Sequence, residues 1–245
     1  MRSAAWIVVA SLAGCGFQTG AGSDAVRDPD AAIDAALDAP PDAPGPPIAL
    51  VQNASNYVTG ALSVSCAFTM TQTAGNANII VVSWFASTGE VQSISDTAGN
   101  IYTSTNITIA GTYSMRIYYA PNIVASPGGN QLTAVFPAAM SFPKLRIFEY
   151  SGLGPTPLER GASSNGNGML ASSGTITTTT PHMLLFAPNV VNGISTPVPP
   201  FVTQDMSDGD LVEALEVQVP GTYTATATIN QFGSWVMMIA AFRGR

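Results

Sequence analysis

Beyond Ile48 the apolar residues of this chain recur at every second position, the period of a strand and not of a helix. In Leu62-Ser-Val64-Ser-Cys66-Ala-Phe68-Thr-Met70, large apolar side chains alternate with Ser, Ala and Thr. Asn78–Phe85 (NIIVVSWF) is apolar in both phases, as a strand covered on both faces would be. Thr112–Tyr119 places Tyr113, Met115, Ile117 and Tyr119 on one face and Arg116 and Tyr118 on the other. Gln131–Phe136, Lys144–Tyr150, Met183–Ala187, Leu211–Val219, Thr222–Ile229 and Ser234–Phe242 repeat the pattern. Turn residues separate them, in Thr97-Ala-Gly-Asn100, Ser126-Pro-Gly-Gly-Asn130, Gly152-Leu-Gly-Pro155 and Pro220-Gly221. Many short strands with frequent turns point to a sandwich or barrel. The span 48–245 is 198 residues, against roughly 100 for one immunoglobulin-type domain, and it carries no internal repeat. The expected fold is therefore all-β: one large two-sheet antiparallel sandwich of jelly-roll or immunoglobulin-like type.

Charged residues make up only 9% of the chain, where about 25% is ordinary, and Gly, Pro, Ser, Thr and Asn take their place. That composition excludes a coiled coil or helical array. Eight Lys+Arg against fifteen Asp+Glu give a net charge of −7. Nucleic acid is excluded as a partner, because a phosphate-binding surface needs clustered cations and this chain has none.

The charge is not evenly spread. Between Gly16 and Pro47 six aspartates (24, 28, 30, 34, 38 and 42) face Arg27 alone, which accounts for −5 of the net −7. The stretch has too little apolar bulk to repay ordering, while prolines stiffen it and like charges extend it. It is expected to be a disordered, solvated tether over residues 15–47.

Ahead of it, Arg2 precedes an apolar run, Ala4–Ala10, too short to span a bilayer. The run ends in Leu12-Ala13-Gly14-Cys15, which resembles the lipobox of bacterial lipoproteins. The resemblance implies that residues 1–14 are a cleaved signal peptide and that Cys15 becomes the acylated first mature residue. Two or three acyl chains anchor stably where one does not. In that family an Asp after the Cys retains the protein at the inner membrane. Gly16 stands there instead, which implies the outer membrane. With Cys15 lipidated, Cys66 has no intramolecular partner, and its apolar strand phase makes it a buried, inert thiol.

The domain also resembles uncharacterised β-sandwich modules of secreted and surface-attached bacterial proteins. Ile94-Ser-Asp96-Thr-Ala-Gly99-Asn100, Tyr118-Tyr119-Ala120-Pro-Asn122, Leu145–Gly152 and Trp235–Phe242 carry that likeness. It supplies no catalytic residue or ligand. Pro220-Gly221-Thr222-Tyr223 resembles the tyrosine corner of immunoglobulin-like sandwiches, in which a phenol hydroxyl ties a turn to nearby backbone.

Candidate chemistry is sparse. His182 is the sole histidine, and no Gly-x-Ser-x-Gly elbow accompanies it; Ala162–Gly168 reads as a Ser/Asn/Gly loop. Glu149, Glu159, Glu90, Asp96 and the acids of 205–216 are the candidate carboxylates for glycoside hydrolysis, though an exposed or ion-paired strand residue explains Glu149 without catalysis. Asp205, Asp208, Asp210 and Glu213 surround a glycine and could offer oxygen ligands to calcium, without the spacing of an EF-hand. An ordinary acidic turn is the alternative. Tyr118 and Tyr119 point to opposite faces, and one of them, with Tyr102 or Tyr57, is the candidate for a small sugar-binding platform. Thr175–Thr180 (TITTTT) offers a row of hydroxyls. The expected protein is non-enzymatic and binds or supports something at the envelope. Its expected partners are the membrane, through its lipid, and a glycan or envelope protein. A carbohydrate-binding module, calcium-stabilised or not, and a glycan hydrolase stay open as alternatives.

Overall fold

The computed structural model describes residues 45–86, 89–110 and 112–245. The chain divides into two units, Met1–Ala43 and Pro44–Arg245, and the second holds every described residue. The expected signal peptide, the acylated Cys15 and the tether up to residue 44 lie outside the described residues. Thirteen strands, and no helix, occur among the described residues. They are β1 (Ala49–Tyr57), β2 (Gly60–Ala67), β3 (Ala77–Phe85), β4 (Ser93–Asp96), β5 (Thr103–Ala110), β6 (Ser114–Ala120) and β7 (Gln131–Ser151). There follow β8 (Leu153–Thr177), β9 (Met183–Val191), β10 (Ser195–Pro197), β11 (Val202–Ser207), β12 (Asp210–Val217) and β13 (Thr222–Gly244).

All pairings are antiparallel and form two sheets. One runs β1-β7-β3-β6-β5, with β2 and β4 also on β7; the other runs β10-β13-β9-β12-β11, with β8 on β13. This is the two-sheet antiparallel sandwich that the alternation implies. Strands read as separate in the sequence join into long ones. Gln131–Ser141 of β7 lies between β2 and β4, whereas Lys144–Ser151 lies between β1 and β3. The change of partners falls at Phe142, whose φ is +49°, followed by Pro143, which has no N–H to give a ladder. β13 divides likewise. Thr222–Thr228 pairs with the C-terminal part of β8, and Gly233–Gly244 lies between the rest of β8 and β9. Gly233 sits at that bend, where a Cβ would stand 2.5 Å from the Asn192 carbonyl oxygen, so only glycine fits.

Strand alternation sorts the apolar residues into three cores. On β3, Ile79 and Val81 join the cluster between the sheets, and Ile80, Val82 and Trp84 join a second one on the far face. On β13, Val236, Met238, Ala240 and Phe242 face the central cluster, while Met237, Ile239 and Ala241 face a third. The folded-back parts of β7 and β13 supply residues that close these outer clusters, Leu132 and Phe136 in one, Ala225 and Ile229 in the other. Both central strands are thus buried on both faces, which is why NIIVVSWF shows no polar phase. Each fully buried large side chain contributes roughly 1.5–3 kcal/mol. Cys66 is free and buried beside Val64 and Phe68, and burial pushes its thiol up to about 11. Leu62 and Met70, of the same phase, lie at the exposed ends of that run.

Phe148 is fully buried with its ring edge-on to Phe186, 5.2 Å between centroids, while Phe232 is 73% exposed. Phe148→Ala should therefore destabilise the fold by about 3–5 kcal/mol in urea unfolding. Phe232→Ala should stay within about 0.5 kcal/mol of the parent.

Candidate functional site

Strand ends from both sheets meet around an open cleft of about 440 Å³. Tyr57 closes β1; Ser83, Trp84 and Phe85 close β3; Tyr113 precedes β6. Phe142 and Lys144 come from the bend in β7, Val190 and Val191 from the end of β9, and Asp208 and Asp210 from the β11–β12 hairpin. The cleft exists because β7 changes partners here. Its bend leaves Phe142 exposed, while Lys144 is held between Tyr57 on one side and Ser83 on the other. Tyr57 and Phe85 are half-exposed, and Phe85 meets Tyr113 edge-on at 5.6 Å between centroids.

Alternation along β7 turns Lys144 and Arg146 inward with Phe148 and Tyr150, opposite Leu145 and Ile147. Lys144 is 7% exposed, and its ammonium is fully engaged. Nζ lies 2.8 Å from Asp210 Oδ2 and 3.1 Å from Asp208 Oδ2, and donates to the Ser207 carbonyl at 3.1 Å. It also stands 5.9 Å from the Tyr57 ring centroid. Asp210 Oδ1 accepts from the Val191 N–H at 3.0 Å, so this carboxylate ties β9, β12 and β7 together. Asp208 and Gly209 both have positive φ, +53° and +83°, the geometry of a two-residue Asp-Gly hairpin turn. Deeper in, the guanidinium of Arg146 is wholly buried and donates to the Asn189 carbonyl at 2.8 Å. Burial pulls its pKa down, and the charges of Asp210 and Asp205 oppose that pull. Asp205 is raised by burial, against the nearby Arg146 and Lys144.

The four acids of the calcium expectation therefore do different things. Asp208 and Asp210 converge on the Lys144 ammonium, so a cation already sits between them. Glu213 lies on the other face of β12, in phase with Leu211 and Leu215 of the outer cluster. Among the described residues no group of three or more His, Cys, Asp or Glu side chains could hold a metal ion. Both Glu213 carboxylate oxygens are buried without a hydrogen-bond partner, and burial pushes its pKa up to about 8.

Of the tyrosines weighed for a platform, Tyr118 and Tyr102 share one outer cluster, both partly buried. Tyr119 packs edge-on against Phe242 in the central core, and Tyr118 turns to the opposite, outer cluster. The Tyr102 hydroxyl donates to Asp96 Oδ2 at 2.7 Å and accepts from Asn78 Nδ2 at 3.0 Å, and desolvation raises its pKa. That network, with Asn100 and Asn130 also on Asp96, fixes the turn before β5. Of the tyrosines weighed as platform members, Tyr57 alone lines the cleft. Glu149 is neither exposed nor ion-paired: it is fully buried, accepting from Gln52, Asn76 and the Thr73 N–H. The segment 162–168 is part of β8 and not a loop. His182 precedes β9 with its Nε2 3.2 Å from Glu216. Thr175 and Thr177 face outward and bond the hydroxyls of Thr224 and Thr222. The Tyr223 hydroxyl donates to the Val219 carbonyl at 2.7 Å, as in a tyrosine corner.

Comparison with protein families, with curated proteins and with solved structures finds no match for the chain.

The raised Glu213 makes a prediction about pH. Between an unfolded value near 4.3 and the folded one of about 8, the folded state keeps a proton that the unfolded state has lost. This contribution is complete below the unfolded pKa and disappears as pH rises through the folded one. Melting temperature should accordingly fall by several degrees between pH 5 and pH 8 in calorimetry, and Glu213→Gln should flatten that slope.

Proposed function

We propose that this is an exported, lipid-anchored envelope protein with a non-enzymatic binding role, and that the cleft at the end of its sandwich is the ligand site. The observation that carries the reading is the gathering of Tyr57, Phe85, Tyr113 and Phe142 around one buried Lys144–Asp208–Asp210 cluster. Half-exposed rings beside a fixed polar group are the usual make-up of a small-molecule pocket, and a volume of about 440 Å³ falls in the ordinary range of roughly 300–1,000 Å³. Asp208 and Asp210 are committed to the same ammonium, an arrangement that suits a wall more than a general base. The Leu12-Ala13-Gly14-Cys15 sequence supports export and anchoring, and the acidic stretch behind it would serve as the spacer. A carbohydrate-binding module is a second reading, favoured by the aromatic walls of the cleft.

Two substitutions test the two halves of the proposal. Cys15→Ser should move the protein from the membrane fraction to the soluble one. Phe142→Ala should lower affinity at least tenfold for any ligand found by screening small metabolites and envelope saccharides against the folded domain, with near-UV circular dichroism unchanged. A ligand whose affinity ignores Phe142 would place the site elsewhere.

A further inference from the structure

The make-up of the cleft also bears on the charge of what it holds, and this step rests on the reading of the cleft as the ligand site. Its charged lining consists of Lys144, Asp208 and Asp210, a net charge of −1. The Lys144 charge is met by two carboxylates, at 2.8 and 3.1 Å, and its third hydrogen bond goes to a backbone carbonyl. It therefore has little to offer an incoming anion. Asp210 is buried, with one oxygen on Lys144 and the other on the Val191 N–H. Asp208 is different: its side chain is 50% exposed, so half of a carboxylate faces solvent at the cleft. The same cleft is lined by the rings of Tyr57, Phe85, Tyr113 and Phe142. Aromatic faces carry negative quadrupole potential and attract cations within about 6 Å of a ring centroid, most strongly where water is excluded. The Lys144 ammonium already stands 5.9 Å from the Tyr57 ring, which leaves Phe85, Tyr113 and Phe142 as the rings open to an incoming cation.

We propose that the cleft binds a small organic ammonium ion, with its charge beside Asp208 and its alkyl groups against the rings. The hydrogen-bond count narrows the class further. A primary ammonium brings three N–H donors that all need acceptors. Asp210 and the Ser207 carbonyl already accept from Lys144, which leaves the half-exposed Asp208 as the charged acceptor. A quaternary ammonium has no donor to satisfy and presents methyl groups to the rings. The class is therefore a quaternary, choline-like cation. The span 48–245 carries nine Asp+Glu against six Lys+Arg, a net charge of −3 that adds a field of the same sign.

The test titrates the folded domain with choline and, separately, with 3,3-dimethylbutan-1-ol, a neutral molecule of the same shape, by calorimetry at low salt. Choline should bind roughly tenfold more tightly than the alcohol. Asp208→Asn should weaken choline at least threefold and leave the alcohol unchanged, whereas Phe142→Ala should weaken both. Equal affinity for the two molecules, or choline binding indifferent to Asp208, overturns cation selection and leaves the cleft a binding site. Glucose bound at Phe142 in the absence of choline binding has the same consequence and favours the carbohydrate reading. Failure of choline, the alcohol and glucose alike, together with a screen that finds no Phe142-dependent ligand, overturns both the inference and the binding role.

Discussion

A single lysine joins the two sheets where the sandwich opens. Lys144 projects inward from β7 and takes its acceptors from the β11–β12 hairpin of the other sheet, through Asp210, Asp208 and the Ser207 carbonyl. A charge this deeply buried is tolerated only when paired and hydrogen-bonded, so the geometry of the lysine and that of the hairpin depend on each other. Removing one partner of such a pair typically costs about 3–5 kcal/mol, because the charge left behind has no compensation. The cleft is what remains between these two elements once the lysine has fixed their separation. The rings around it sit on strand ends that the ladders of β1, β3 and β6 hold in place.

The bend at Phe142 makes that contact available. Before it β7 lies between β2 and β4, and after it between β1 and β3. One strand thereby covers an outer core and crosses the central one, as β13 does on the other sheet. Double coverage keeps the central strands β3 and β9 dry on both faces. It also leaves the ends of β1, β3 and β9 at one margin, where Phe142 and Tyr57 are exposed and Trp84 is not.

Much of the fold was legible from alternation alone. NIIVVSWF had no polar phase and is buried on both faces as far as Trp84, Tyr118 and Tyr119 do point to opposite clusters, and Cys66 is enclosed. What alternation hid was β8, whose Ser, Asn and Gly residues carry the composition of a loop. Gly166 there answers to a neighbour and not to a turn: a Cβ on it would stand 2.7 Å from the Trp235 ring. Continuity of β7 and β13 was hidden as well, since a strand that changes partners looks like two strands with a turn between them. At the site, Asp208-Gly209 does form a turn, the alternative weighed for these acids, yet they also suggested a metal because nothing nearby in sequence announces Lys144. Glu213 was grouped with them by proximity along the chain, although its odd-numbered phase sends it to the opposite face. The rings of the cleft come from residues 57, 85, 113 and 142, and no local pattern says which strand ends meet.

The cross-sheet pairing of Lys144 with Asp210 is measured most directly by a double-mutant cycle. Urea unfolding of Lys144→Met, Asp210→Asn and the double variant should give a coupling free energy above about 1 kcal/mol, in the range found for residues in direct contact. Additivity of the two single substitutions within about 0.5 kcal/mol would contradict it, because the two side chains would then not hold the sheets to one another.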